Sequence, residues 1–134
     1  MIRIAVDAMG GDYAPAEMVA GAVEAVKAKP DIQVALVGQE EKVREELSKY
    51  SFEPGQIQVV NATEVIATEE PPVNAIRKKK DSSMVVAFNM VKKGEADAFV
   101  SAGSSGAILV GGQVIVGRIK GVERPPLAPL IPTE

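Results

Sequence analysis

Ala96 to Ala107, A-D-A-F-V-S-A-G-S-S-G-A, is a short apolar strand running into a glycine and serine loop that opens directly onto an uncharged helix. This strand-to-helix unit decides the fold class. A helix N-terminus carries unpaired N–H groups and the positive end of the macrodipole, and glycines let a ligand approach the backbone closely. The loop is therefore expected to bind an anion.

The rest of the chain repeats the alternation. Ile2, Ile4 and Val6 begin a strand that ends at Asp7. Pro15 suits a first helical turn, and Val19, Ala22, Val23 and Val26 follow at helical spacing to a stop before Pro30. Ile32 to Val37 reads as a strand closed by Gly38; Val43, Leu47 and Tyr50 mark one face of a second helix; Ile57 to Val60 is a third strand. Asn61 to Pro72 reads as a loop holding one short turn, and a helix runs from Pro72 to Lys80. Asp81 or Ser82 caps the next helix, on which Met84, Ala87, Phe88 and Val91 share a face and Lys92-Lys93-Gly94 closes the end. A fourth strand spans Ala96 to Val100, and the final helix Gly106 to Val116. Strands separated by helices predict an α/β fold, three-layered, with a mostly parallel sheet covered on both faces.

Composition narrows the chemistry. The 134 residues are 46% apolar and 25% charged, as in a soluble globular domain. No cysteine or histidine is present, which excludes disulfides, Cys/His zinc sites and any Cys- or His-based nucleophilic relay within this chain. Neither a metal nor a cofactor is expected. A net charge of −3 offers no general basic surface for nucleic acid. Met1 to Val6 does not read as a signal peptide, so a cytoplasmic location is expected. Ala98 to Gly117 is uncharged and long enough for a membrane span, but Ser101 to Gly106 interrupts it, so Ala107 to Val116 is expected to be a buried core helix.

Two loops carry the candidate site. D-A-M-G-G-D at Asp7 to Asp12 and S-A-G-S-S-G at Ser101 to Gly106 both follow strands, and they share one edge of the sheet if those strands run the same way. Gly10, Gly11, Ser101, Gly103, Ser104, Ser105 and Gly106 are the candidate contacts, through backbone N–H groups and the serine hydroxyls. Each loop alone could be an ordinary tight turn or helix start, and neither has the spacing of a nucleotide-binding fingerprint. Asp7 and Asp12 flank the first loop; Asp7 is either a functional carboxylate or an acceptor for its own loop. Arg77, Lys78, Lys79 and Lys80 either answer a helix dipole or dock an acidic partner. Arg118, Lys120 and Arg124 either hold an anionic substrate or form a solvated turn.

The whole chain resembles the N-terminal part of the PlsX-type phosphate acyltransferases. The resemblance rests on R-I-A-V-D-A-M-G-G-D at Arg3 to Asp12, A-I-R-K-K-K-D-S-S-M at Ala75 to Met84, S-A-G-S-S-G-A from Ser101, and V-G-R-I-K-G-V-E-R-P-P-L-A-P at Val116 to Pro129. It implies a fold like that of isocitrate and isopropylmalate dehydrogenases. It also implies transfer of a fatty acyl group from acyl carrier protein to inorganic phosphate, giving acyl phosphate for phospholipid synthesis. A dimeric, cytoplasmic protein loosely attached to the membrane through later segments is implied as well. Under it, Asp7, Gly10, Gly11, Asp12, the Ser101 to Gly106 loop and Arg118 hold phosphate, and Arg77 to Lys80 dock the carrier protein. The chain departs from the family's S-A-G-N-T-G-A at Ser104 and Ser105, and Tyr13 stands where a histidine is frequent.

The resemblance also implies that residues 1–134 are one part of a longer fold, with the other wall of the cleft absent and little turnover expected from this part alone. A phosphate acetyltransferase or dehydrogenase of related fold is an alternative enzyme reading. A non-catalytic anion-binding α/β domain is a third.

Overall fold

In the computed structural model, residues 1–117 are described. Four strands, β1 (Ile2–Asp7), β2 (Ile32–Gly38), β3 (Ile57–Asn61) and β4 (Ala98–Val100), form one sheet in the order β3-β2-β1-β4. All three pairings are parallel, with Ala5 opposite both Ala35 and Phe99. The helices are α1 (Ala16–Ala28), α2 (Glu40–Leu47), α3 (Pro72–Lys78), α4 (Ser83–Lys92) and α5 (Ser105–Gly111). The α/β class and the parallel sheet expected from the alternation are both present.

Side chains alternate across a strand, so β2 serves two cores. Val34 and Leu36 pack with Val6 against Val19, Val23 and Val26 of α1 and Val43 and Leu47 of α2. Ala35 and Val37 pack with Ala5 against Ala87 and Met90 of α4. Small residues at Ala5 and Ala35 leave room for α4. A third cluster joins Ile76 of α3, Met84, Val85 and Phe88 of α4, and Ala107 of α5; the Phe88 and Phe99 rings bridge it to the sheet with centroids 4.3 Å apart.

Several boundaries differ from the expectations, each for a local reason. Tyr50 lies beyond α2, because Tyr50 N–H bonds the Leu47 carbonyl in a tight closing turn. Helix α3 stops at Lys78 rather than Lys80, because Lys79 leaves helical backbone angles (φ −94°, ψ 67°) and its carbonyl accepts the Ser82 N–H instead. Strand β4 starts at Ala98, since the Ala96 N–H is held by the Met90 carbonyl at the end of α4. Ser82, not Asp81, caps α4: its hydroxyl accepts the Val85 N–H at 3.2 Å, while Asp81 accepts the backbone and hydroxyl of Thr63. Gly94 ends that helix with φ of +78°, a conformation glycine takes without strain. Helix α4 buries Val85 and Met90 besides the expected Met84, Ala87 and Phe88, because it is covered from two sides; Val91 is only half-buried.

The final helix departs furthest. It is α-helical to Gly111 and continues as a π turn from Gly112 to Val116, where the Gly117 N–H reaches back to the Gly112 carbonyl at 2.8 Å. It is not a buried core helix: Leu109, Val114 and Val116 are exposed, Val114 to 68%. Among the described residues no helix is long and apolar enough to cross a membrane. Arg118, Lys120 and Arg124 lie outside the described residues.

Candidate functional site

From β1 the chain builds outward through β2 to β3, then returns to place β4 on the other side of β1. The strand order therefore reverses between β1 and β4. In open parallel sheets a crevice forms at such a switch point, outside the carboxyl ends of the strands, and ligands collect there. The two glycine loops lie at that position because β1 and β4 are parallel neighbours.

The loops touch each other directly. A side chain at Gly10 would place its first carbon 2.9 Å from the Gly103 backbone nitrogen and 2.7 Å from Asp7 Oδ2. Gly11, with φ of +93°, faces Ala102 across a 3.3 Å gap by the same measure. These glycines therefore serve loop-to-loop packing, and a ligand would lie over the joined loops rather than between them.

Asp7 sits beneath this junction and is 2% exposed. Its Oδ1 accepts the Met9 N–H at 3.1 Å and the Ser83 hydroxyl at 2.5 Å; its Oδ2 accepts the Ser101 hydroxyl at 2.8 Å. Of the two sequence readings, the loop acceptor is the one this geometry displays, extended to β4 and α4. Ser83 was not among the candidates read from the sequence. Its signal was the doubled serine at the start of α4, since one serine suffices for the cap.

The second loop divides its polar groups between structure and solvent. The Gly103 N–H is taken by Ser101 Oγ at 3.0 Å, and Ser104, buried, caps α5 by accepting the Ala107 N–H at 3.2 Å. Ser105 is exposed. The first turn of any α-helix leaves its leading N–H groups without intrahelical acceptors, so those of Ser105 and Gly106 are the donors this loop offers a ligand. Gly106 also has a packing task, as a side chain there would meet Pro72 Cγ at 2.8 Å. Asp12 and Tyr13, at the end of the first loop, are exposed.

The basic run is split. Lys79 turns back onto the preceding loop, donating to the Val65 carbonyl at 2.8 Å and to Glu70 Oε1 at 2.5 Å. The Lys79 hydrogen bond, with help from the Ala67 N–H, holds the Glu70 carboxyl below its ordinary pKa. Arg77, Lys78 and Lys80 remain exposed.

Comparison with known proteins extends this picture. A family model described as fatty acid synthesis protein matches residues 2–134. The phosphate acyltransferase of Syntrophomonas wolfei is 56% identical over 131 residues, covering 98% of this chain and 41% of its own. Those of Clostridium beijerinckii and Clostridium kluyveri are 53% and 54% identical, covering 98% and 96% of this chain and 39% and 38% of theirs. The chain thus spans about two fifths of the length of the curated relatives it matches.

Proposed function

Because this chain belongs to the PlsX-type phosphate acyltransferase family, we propose that it forms the phosphate-holding wall of an acyl transfer site in the full-length protein. Inorganic phosphate attacks the thioester carbonyl of an acyl group borne by acyl carrier protein. A phosphate oxygen bonds to the carbonyl carbon, the carbon–sulfur bond breaks, and the thiolate leaves to take a proton. The products are acyl phosphate and free carrier thiol. Phosphate is already anionic and a thiolate leaves readily, so no histidine or cysteine is required.

The observation that carries this reading is the junction of the Asp7–Asp12 and Ser101–Gly106 loops at the switch point, beside the Ser105 and Gly106 N–H groups, which the start of a helix leaves without intrahelical acceptors. Orientation of phosphate against the carbonyl is worth up to roughly 7–11 kcal/mol, and one well-aimed donor about 3–4 kcal/mol. Gly10, Gly11, Asp12, Ser101, Gly103 and Ser104 shape the loops around that donor pair, while Asp7 braces them from below. Arg118 supplies a further cation to the phosphate. Arg77, Lys78 and Lys80 offer a cationic surface to the acidic carrier protein, and Lys79 fixes its base. A dehydrogenase-like fold, a homodimer and a cytoplasmic protein in peripheral membrane contact complete the proposal. The relatives' names support acyl transfer over the dehydrogenase alternative.

The test is an assay of the full-length protein with acyl carrier thioester, following thiol release and trapping acyl phosphate with hydroxylamine. Phosphate-dependent thiol release matched by hydroxamate is expected. Thiol release without hydroxamate would mean simple hydrolysis and would overturn the assignment.

A further inference from the structure

Two serines stand side by side at the start of α4, Ser82 and Ser83, at 0% and 2% exposure. Ser82 is accounted for by the helix cap. The Ser83 hydroxyl has a different partner, Asp7 Oδ1 at 2.5 Å, from a residue 76 positions away. The Ser83 backbone N–H is separately held by the Glu64 carbonyl at 3.1 Å.

At Asp7 donors converge from two elements, the Ser83 hydroxyl on Oδ1 and the Ser101 hydroxyl on Oδ2. The Ser101 hydroxyl donates to Asp7 Oδ2 at 2.8 Å, and the Ser101 oxygen in turn accepts the Gly103 N–H at 3.0 Å. A hydroxyl that donates to a carboxylate becomes a better acceptor, so the Gly103-to-Ser101 and Ser101-to-Asp7 bonds reinforce each other, while Ser83 fixes the carboxylate they end on. The far end of this relay is the Gly103 amide, two residues before the first N–H groups of α5. Gly103 has no side chain to fix its own orientation, and a first carbon there would stand 3.2 Å from Ser101 Oγ. The relay supplies the constraint instead.

We propose that Ser83 is a positioning residue for the phosphate site. Through Asp7 and Ser101 it sets the Gly103 amide, and so aims the Ser105 and Gly106 N–H groups. This rests on the reading that those groups hold phosphate. Both Asp7 oxygens are occupied by protein donors, so the carboxylate acts on its neighbours and touches no substrate. A small misplacement of binding groups is costly in rate or affinity, which gives a buried serine leverage over a ligand it does not reach.

Steady-state kinetics of the full-length enzyme, with phosphate varied, provide the test, using Ser83→Ala, Ser101→Ala and Ser82→Ala. Ser83→Ala is expected to raise the KM for phosphate about 10-fold, with kcat changed by much less. Ser101→Ala, at a less buried position, should do the same and serves if Ser83→Ala folds poorly. Ser82→Ala removes the cap but leaves the relay; it should lower the melting temperature and keep the phosphate KM within about two-fold of wild type. Unchanged phosphate KM in both relay variants, with wild type active, would overturn the relay alone. A wild-type enzyme with no phosphate-dependent thiol release would overturn the phosphate reading and the relay with it.

Discussion

Helices α1 and α2 each lay a single apolar stripe on the sheet, whereas α4 is enclosed between the sheet and the pair α3 and α5. On the first side the outer helix faces, such as Gly21 and Glu24 of α1 and Glu41 and Glu45 of α2, are exposed among the described residues, so added side-chain volume there meets little. On the second side helices press on one another, and glycines are placed where a methyl group would not fit. The candidate site lies where this crowded side meets the ends of β1 and β4, so its loops inherit a fixed scaffold.

The same substitution should therefore have opposite signs on the two sides. Gly111→Ala would put a methyl carbon 2.4 Å from Phe88 Cε2, and Phe88 is buried and stacked near Phe99. Overpacking of this kind costs about 1–3 kcal/mol, read as a lowered urea midpoint. A midpoint at or above wild type would show that α5 and α4 are not closely apposed. Gly21→Ala, in the middle of α1, meets nothing within 4 Å among the described residues. Relief of glycine's backbone entropy should raise stability by about 0.5–1 kcal/mol. Loss of stability at Gly21 would mean that the outer face of α1 is covered in the protein.

The contrast also explains what could be read in advance. Strands β1 and β2 and helix α1 follow simple periods, so Ile4, Val34, Val19 and Val23 disclosed their elements. The placing of both glycine loops at one edge followed once the strands were parallel. Helix α4 showed one stripe of Met84, Ala87 and Phe88, but its second buried flank depends on α5 arriving from outside the window of any local pattern. Gly106 against Pro72 and Gly111 against Phe88 are contacts between separate elements, and a lone glycine in sequence does not say which neighbour it admits. The Asp7–Ser83 bond spans 76 positions and left only the doubled serine as a trace. Tyr50 misled because its spacing fitted a helix that had already closed.

The smallest expected effect concerns acid, and it again falls on the crowded side. Asp81 accepts the Thr63 hydroxyl at 2.5 Å and the Thr63 N–H at 3.0 Å, tying the loop after β3 to the start of α4. The hydroxyl bond first, then the backbone bond, holds its pKa below the ordinary 3.8. A carboxyl lowered on folding adds stability that is fully present well above its unfolded pKa and is lost as pH falls through the folded value. The contribution is thus intact at pH 7 and fades below about pH 4. Asp81→Asn cannot titrate, so its unfolding midpoint, relative to wild type, should be lowest at neutral pH and recover towards pH 2. Exposure of Asp81 makes the shift modest. Parallel wild-type and Asp81→Asn curves from pH 7 to pH 2 would show that this tie adds nothing to the α4 side.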